Sequence, residues 1–261
     1  MVKKHISRIY TGLIFFFLYA PIFILILFSF NEKKNLTKIS GFTLKWYFEL
    51  FKDRQIMQAI YYTFIIAIIA SIIATIIGTL AAIGLHNRKK SKRKTALLTI
   101  NKIPMMSPDI VTAIALMSFF IYINQKFSFF ELGFGTLLIA HITFNIPYVI
   151  LSVMPKLKQM PLNTVEAAMD LGASQFYAFR KVVLPEIFPG IITGLLIAFT
   201  MSIDDFVISF FTTGHGISNI SILVFSSARV GINPKINALS TLLFITVMFL
   251  LILINKRTKK V

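Results

Sequence analysis

The sequence predicts an all-α, polytopic membrane protein: six transmembrane helices forming a single domain over residues 1–261. Three observations predict it. Hydrophobic residues make up 56% of the 261-residue chain and charged residues only 14%, where a soluble domain has roughly 45–50% and about 25%. The apolar residues collect in runs of about 18–27, long enough to cross a bilayer as helices. The basic residues fall in the gaps between those runs, where topology signals lie.

The same composition excludes several function classes. A net charge of +17 would favour nucleic-acid binding in a soluble protein, but here it reads as topology, so no nucleic-acid partner is expected. Cysteine is absent, which removes disulfides, thiolate metal sites and cysteine nucleophiles. His5, His86, His141 and His215 lie far apart and form no His-x-x-x-His pair, so neither a metal site nor a cofactor is proposed. There is no nucleophile–base pair of the kind a membrane enzyme needs. A Gly-x-x-x-x-Gly-Lys-Ser/Thr motif is also lacking, so ATP should not bind to this chain.

Taken in order, the spans are expected at residues 9–30, 59–85, 103–123, 134–154, 188–211 and 236–254. The first follows Lys3, Lys4 and Arg8, as a signal peptide would. Its apolar run exceeds the ~7–15 residues of a signal peptide, and Ser29-Phe30-Asn31-Glu32 is no small-x-small cleavage site. A retained anchor is therefore expected. Of the 27 Lys and Arg, 17 fall on one side of the spans: the N-terminus, the run Arg88–Lys94, the segment 155–187 and the tail Lys256–Lys260. Nine fall in the other three loops, and Lys102 sits at a span edge. The heavier side is cytoplasmic by the positive-inside rule, which puts both termini and the segment 155–187 inside. The Lys/Arg run also allows contact with anionic lipid. Trp46, Tyr47, Tyr61 and Tyr62 are expected at the outer interface. Gly190-x-x-x-Gly194 in the fifth span reads as a close helix-packing motif. The outer loop 212–235 contains a short apolar stretch, Ile220–Phe225, too short to span.

The polar segment 155–187 reads as a short helix-turn-helix. Pro155 and Pro161 should turn the chain out of the fourth span. Asn163 is the expected N-cap, with Glu166 at N3 in a capping-box-like pair. Gly172 suits the left-handed residue that stops the first helix. Ser174 should cap a second helix, Gln175–Val183, ended by Pro185. Within it, Glu166-Ala167-Ala168, three residues, Gly172, nine residues and Val182-Val183-Leu184-Pro185 stand in fixed spacing. This resembles the EAA loop of ABC-importer permeases, with Val182 where that family usually has Ile. The resemblance implies the type I ABC-importer permease (MetI-like) fold, with Glu166, Ala167, Ala168, Gly172, Leu184 and Pro185 in a coupling helix that docks on a cytoplasmic ATPase. It extends over the chain: Ser202 to Phe211, Pro234 to Thr241 and Pro108-Asp109-Ile110-Val111 are similar to spermidine/putrescine permeases of the PotC type.

Charge supports that narrowing. An aspartate at mid-membrane costs about 2.5–3.5 kcal/mol on insertion scales, so Asp204 and Asp205 need a partner or water. Ammonium groups of a polyamine suit carboxylates and aromatic faces. On a helix Asp205 shares a face with Ser202 and Ser209, so Asp205 is the first pathway candidate, Asp204 the second, and Ser202 and Ser209 accompany them. Bonding of either aspartate to backbone, to neighbouring helices or to interfacial water is the alternative. Asp109 is a further candidate, although Ser107-Pro108-Asp109 is also a common way to begin a helix.

The expected function is the permease subunit of an ATP-driven polyamine importer in the bacterial inner membrane, moving between inward and outward states. The expected partners are a homodimeric ATPase, a second, PotB-like permease, an extracytoplasmic polyamine-binding protein and membrane lipid. The competing readings are a type I permease for phosphate, iron or thiamine, and a secondary cation transporter.

Overall fold

The structure, a computed structural model, describes residues 2–34, 38–88, 91–127, 131–161, 163–214, 216–231 and 233–258. Lys89, Lys90, His215, Lys259 and Lys260 lie outside them. In chain order the helices are α1 (Val2–Ser29), α2 (Lys45–Lys52), α3 (Arg54–Asn87), α4 (Lys92–Met106), α5 (Asp109–Phe127), α6 (Phe134–Gln159), α7 (Thr164–Asp170) and α8 (Gln175–Ala178). A π-helical turn, Phe179–Val183, follows, then α9 (Leu184–Asp204), α10 (Val207–Thr212), α11 (Ile220–Val230) and α12 (Pro234–Thr258). No strand occurs among the described residues beyond one isolated antiparallel bridge, Asn31 to Phe42.

Five helical runs are long and apolar enough to cross a membrane: Ser7–Ser29, Arg54–Asn87, Asp109–Phe127, Phe134–Gln159 and Gln175–Asp204. The 25-residue α12 takes the place of the expected sixth. The third span differs from expectation at its start. Residues 103–106 belong to α4, and the span begins at Asp109. Pro108 disfavours helical backbone at the residue before it, and Ser107 is indeed extended (φ −77°, ψ 143°). The fourth span runs through Pro155 to Gln159. An interior proline costs a helix one backbone bond and a kink without ending it, and the chain turns at Pro161 instead.

The chain divides into two compact units, Met1–Met57 with Leu223–Val261, and Gln58–Ile222. In the first, α12 packs on α1 and α2. Lys235 in the first turn of α12 reaches Glu49 Oε2 (3.7 Å) and Asp53 Oδ2 (3.4 Å). The loop after α1 folds around Asn31, whose Oδ1 accepts from Ser40 N–H (2.8 Å) and whose Nδ2 donates to Lys33 and Lys38 carbonyls. Trp46 is not an interfacial aromatic. It is 4% exposed, and its indole N–H donates to Asn31 O at 2.6 Å. Tyr47 is likewise held inside this unit, with its hydroxyl 2.7 Å from Ser29 Oγ.

The second unit is organised on α6. A buried stripe of small residues on α3, including Ala70, Ala74 and Ala82, allows close packing. Gly78 lies on the same helix, and a Cβ there would meet the Val149 side chain at 2.7 Å. Gly190 and Gly194 do the same for α9. A Cβ on Gly190 would lie 2.9 Å from Ser152 O, and one on Gly194 3.3 Å from Val149 Cα. The core between them holds Val149, Val153, Leu157, Ile187 and Ala198. At the turn after α3, Lys94 Nζ donates to the carbonyls of His86 (3.0 Å) and Arg88 (2.8 Å), satisfying acceptors that a helix end leaves bare.

Backbone against backbone leaves no room at Gly190. Gly190→Leu should destabilise the protein by about 1–3 kcal/mol or more. Gly84→Ala, where nothing lies within 4 Å, should not. Thermal unfolding of the two purified variants in detergent checks this.

Candidate functional site: a broken helix, an acidic cavity and the coupling segment

The fifth span is not one helix. α9 ends at Asp204, Asp205 is extended (φ −65°, ψ 122°), and α10 starts at Val207. The Asp205 carboxylate caps α10. Its Oδ1 accepts from Ile208 N–H (3.2 Å), and its Oδ2 from Ser209 N–H (2.7 Å) and Ser209 Oγ–H (2.8 Å). This is N-capping as a surface helix would do it, placed in an apolar layer.

A break also strands carbonyls. Asn219 Nδ2 donates to Asp205 O (3.3 Å) and Ser221 Oγ to Ile203 O (3.3 Å), so the segment entering α11 covers them. That segment is held in turn by Ile220 N–H donating to Thr63 Oγ1 of α3 (2.8 Å). The short apolar stretch Ile220–Phe225 is helical and runs on to Val230.

The break alters the geometry of the two aspartates. On an unbroken helix they would diverge by about 100°. Here Asp204 and Asp205 both line one cavity of about 240 Å³, together with Asp109, Phe144, Tyr148 and Phe206. All three candidate aspartates therefore converge, though they come from α5, from α9 and from the break. The cavity is many times the ~10–15 Å³ one water needs, so carboxylates at its wall can be hydrated. Among the described residues no Lys, Arg or His lines it. Asp204 is exposed, and no described residue bonds its carboxylate. Asp205 is half-buried and spends most of its acceptor capacity on α10.

Ser202 and Ser209 do not line the cavity. Both are buried: Ser202 Oγ accepts from Asn145 Nδ2 (2.8 Å), and Ser209 Oγ lies 3.0 Å from His141 Nε2. His141, Asn145 and Asn219 escape a reading of the sequence. His141 and Asn145 carried a signal all the same, being polar residues at i and i+4 inside an apolar span. Asn219 gave none, because its role depends on where α9 breaks.

The segment 155–187 follows the expected pattern with two differences. α7 ends in a Schellman motif: Gly172 has φ +90°, its N–H donates to Met169 O (2.9 Å), and Ala173 N–H donates to Ala168 O (3.1 Å). Ser174 Oγ caps α8 through Tyr177 N–H (3.3 Å). Asn163, however, makes no side-chain cap, so the capping box with Glu166 does not form. Pro185 does not end the second helix either. The π turn carries Leu184 N–H to Phe179 O, and the helix continues into α9. A π turn shifts the bonding register, which lets a proline without an N–H sit in a continuous helix. Glu166 and Ala167 are exposed, as are Leu171 (90%), Phe176 (73%) and Tyr177 (56%).

A cavity walled by carboxylates among apolar helices marks a route for a polar or charged solute. The chain belongs to the family of binding-protein-dependent transport system inner membrane components, whose model matches residues 74–256. Among curated relatives, it is 38% identical over 245 residues to the spermidine/putrescine transport system permease protein PotC of Escherichia coli (strain K12), covering 94% of this chain and 90% of that one. The PotC of Haemophilus influenzae is 37% identical over 260 residues, covering 100% and 99%. The putrescine transport system permease protein PotI of E. coli (strain K12) is 38% identical over 230 residues, covering 88% and 82%. The fold matches solved ABC importers. A chain of a bacterial ABC transporter importing the acidic polysaccharide alginate superposes with TM-score 0.77 at 16% identity, covering 100% of this chain and 99% of that one. A chain of the inward-facing MetNI methionine transporter gives 0.62 at 18%, covering 80% and 98%.

The two aspartates should separate in a stability measurement. Asp205→Ala removes a helix cap and should cost about 1–2 kcal/mol. Asp204→Ala removes no side-chain bond among the described residues and should leave thermal unfolding unchanged.

Proposed function

We propose that this chain is one membrane half of an ATP-driven polyamine importer, taking spermidine or putrescine along a pathway that includes Asp109, Asp204 and Asp205. The observation that carries the reading is the convergence of those three carboxylates on one cavity walled by Phe144, Tyr148 and Phe206, with no basic residue among its described lining. Clustered carboxylates repel one another. A flexible polycation relieves that repulsion at several points at once, and aromatic faces add cation–π attraction. An anion such as phosphate would meet only repulsion. The names of the relatives above, polyamine permeases at 37–38% identity, favour the same substrate class.

In this reading the ATPase is a separate homodimer that docks on Glu166, Ala167, Ala168 and the exposed apolar side chains of Leu171 and Phe176. Apolar surface of this kind in a polar loop favours burial under a partner. Gly172, Leu184 and Pro185 hold the loop's shape. A second, PotB-like permease completes the pathway, and an extracytoplasmic polyamine-binding protein delivers the cargo. Both termini lie in the cytoplasm of a bacterial cell whose inner membrane holds the complex.

The test is uptake of labelled spermidine and putrescine by the reconstituted complex, with phosphate as control. Polyamine uptake without phosphate uptake is expected, and Asp204→Asn and Asp109→Asn should each lower it about tenfold or more while the protein still inserts. Phosphate uptake, or full polyamine uptake by both variants, overturns the reading. The coupling segment has its own outcome. Gly172→Val cannot hold φ +90° at low cost and should abolish substrate-stimulated ATP hydrolysis while the purified chain still folds. Stimulation equal to wild type would show that the loop's shape does not matter.

A further inference from the structure

Asp205 sits at the cavity wall only because a buried polar cluster behind it fixes its carboxylate, and the donors in that cluster follow from hydrogen-bond accounting. Ser209 has one hydroxyl proton and two lone pairs. The proton goes to Asp205 Oδ2 (2.8 Å). One lone pair accepts from Asn219 Nδ2 (2.7 Å). The orientation of the Asn219 amide is set by backbone: Nδ2 faces Asp205 O and Oδ1 accepts from Ile222 N–H (2.9 Å), and a flip would leave both pairs repulsive. His141 Nε2 then lies 3.0 Å from a Ser209 oxygen whose proton is already committed, and 3.5 Å from Asp205 Oδ2. Both neighbours are acceptors, so Nε2 carries the proton. Nδ1 is buried with no described partner, so the ring enters the cluster through Nε2 alone. His141 is 1% exposed and fixed edge-on against Phe144, which itself lines the cavity (ring centroids 5.4 Å apart).

We propose that His141 and Asn219 are positioning residues for cation recognition. They donate to Ser209, which holds Asp205 Oδ2, and so leave Oδ1, with its single backbone bond from Ile208, as the oxygen with spare acceptor capacity toward the cargo. Neither residue is in the cavity lining. The proposal rests on the polyamine reading of the cavity only for the identity of the cation.

The experiment has two arms. In the reconstituted complex, His141→Leu keeps bulk but removes the donor, and should lower spermidine uptake about tenfold; Asn219→Ala should do the same. His141→Gln retains an N–H and should recover uptake to within about twofold of wild type, a rescue that simple packing does not predict. In Asp205→Asn the His141→Leu change should add almost nothing, since both act through one carboxylate. Wild-type uptake by His141→Leu, no rescue by His141→Gln, or full additivity with Asp205→Asn overturns the proposal. The second arm needs no transport. In ¹⁵N-histidine-labelled full chain, the resonance assigned to His141 by its loss in His141→Gln should report a proton on Nε2 and shift in Ser209→Ala. A proton on Nδ1 only, or no shift, overturns the proposal even if polyamine uptake is normal. If the wild-type complex moves no polyamine while the ¹⁵N result holds, the substrate reading fails and the positioning geometry stands.

Discussion

A helix that stops inside an apolar layer leaves backbone carbonyls and amides with no water to bond. α9 stops in this way at Asp204, and most of what surrounds the cavity can be understood as settling that cost. Asp205 satisfies the first amides of α10, while Asn219 and Ser221 reach back to the carbonyls of Asp205 and Ile203. Thr63 on α3 holds the segment that supplies those donors, and His141 on α6 braces Ser209. Four helices thus contribute to one backbone interruption. Irregular backbone at membrane depth is tolerated where it is buried in protein or borders a cavity, and both conditions hold here.

The break has a counterpart at the other end of the same rod. From Gln175 to Asp204 the chain is a single run of 30 helical residues, about 45 Å at 1.5 Å per residue. It begins at Ser174, two residues after Gly172, and ends at the cavity wall. The π turn at Phe179–Val183 is what keeps it continuous past Pro185. Ile187, Gly190 and Gly194 then clamp the rod to α6 with backbone nearly in contact. A displacement of the segment 155–187 therefore has a stiff element through which to reach Asp204, and α6, which carries His141, is packed against that element.

What the sequence made legible follows from which interactions are local. The apolar runs identify the spans because lipid solvation is read residue by residue. Gly172 and Ser174 announce their roles because a left-handed stop and an N-cap are decided within a few residues. Ser107-Pro108 was readable as a helix start for the same reason, although the expected span began before it, at residue 103. The three aspartates stood out as charges in apolar surroundings, but their convergence was hidden. It depends on α9 breaking after Asp204, and nothing in Ile203-Asp204-Asp205-Phe206 is a helix breaker by propensity alone. The break is stabilised by hydrogen bonds between partners 57 to 157 residues apart or across a loop, such as the pair Asn145–Ser202 and the pair Thr63–Ile220. Trp46 was misplaced at the interface for a similar reason. Its indole partner, Asn31 O, is exposed only by the fold of the outer loop.

The choice of donors around Asp205 bears on how such a site works. A lysine or arginine would hold the carboxylate more strongly than serine, asparagine and imidazole N–H groups do. It would also cancel the charge, and the cavity would lose the field that distinguishes a cation from an anion. A chain carrying +17 overall has ample basic residues, yet none of them lines the cavity among the described residues. Lys235 shows what the alternative looks like: it sits between Glu49 and Asp53 in the other unit, where opposite charges serve as a clasp. Dipolar donors fix geometry without adding an opposing charge, so the Asp205 carboxylate stands beside those of Asp109 and Asp204 with no built-in counter-ion among the described lining. A transport site also has to let go. Carboxylates at the wall of a cavity large enough for water can exchange the cargo for hydration, which a closed ion pair would not allow. Under the proposed reading, the cluster behind Asp205 keeps the site charged and shaped in both circumstances, while the exposed, unbonded Asp204 is free to follow the cargo.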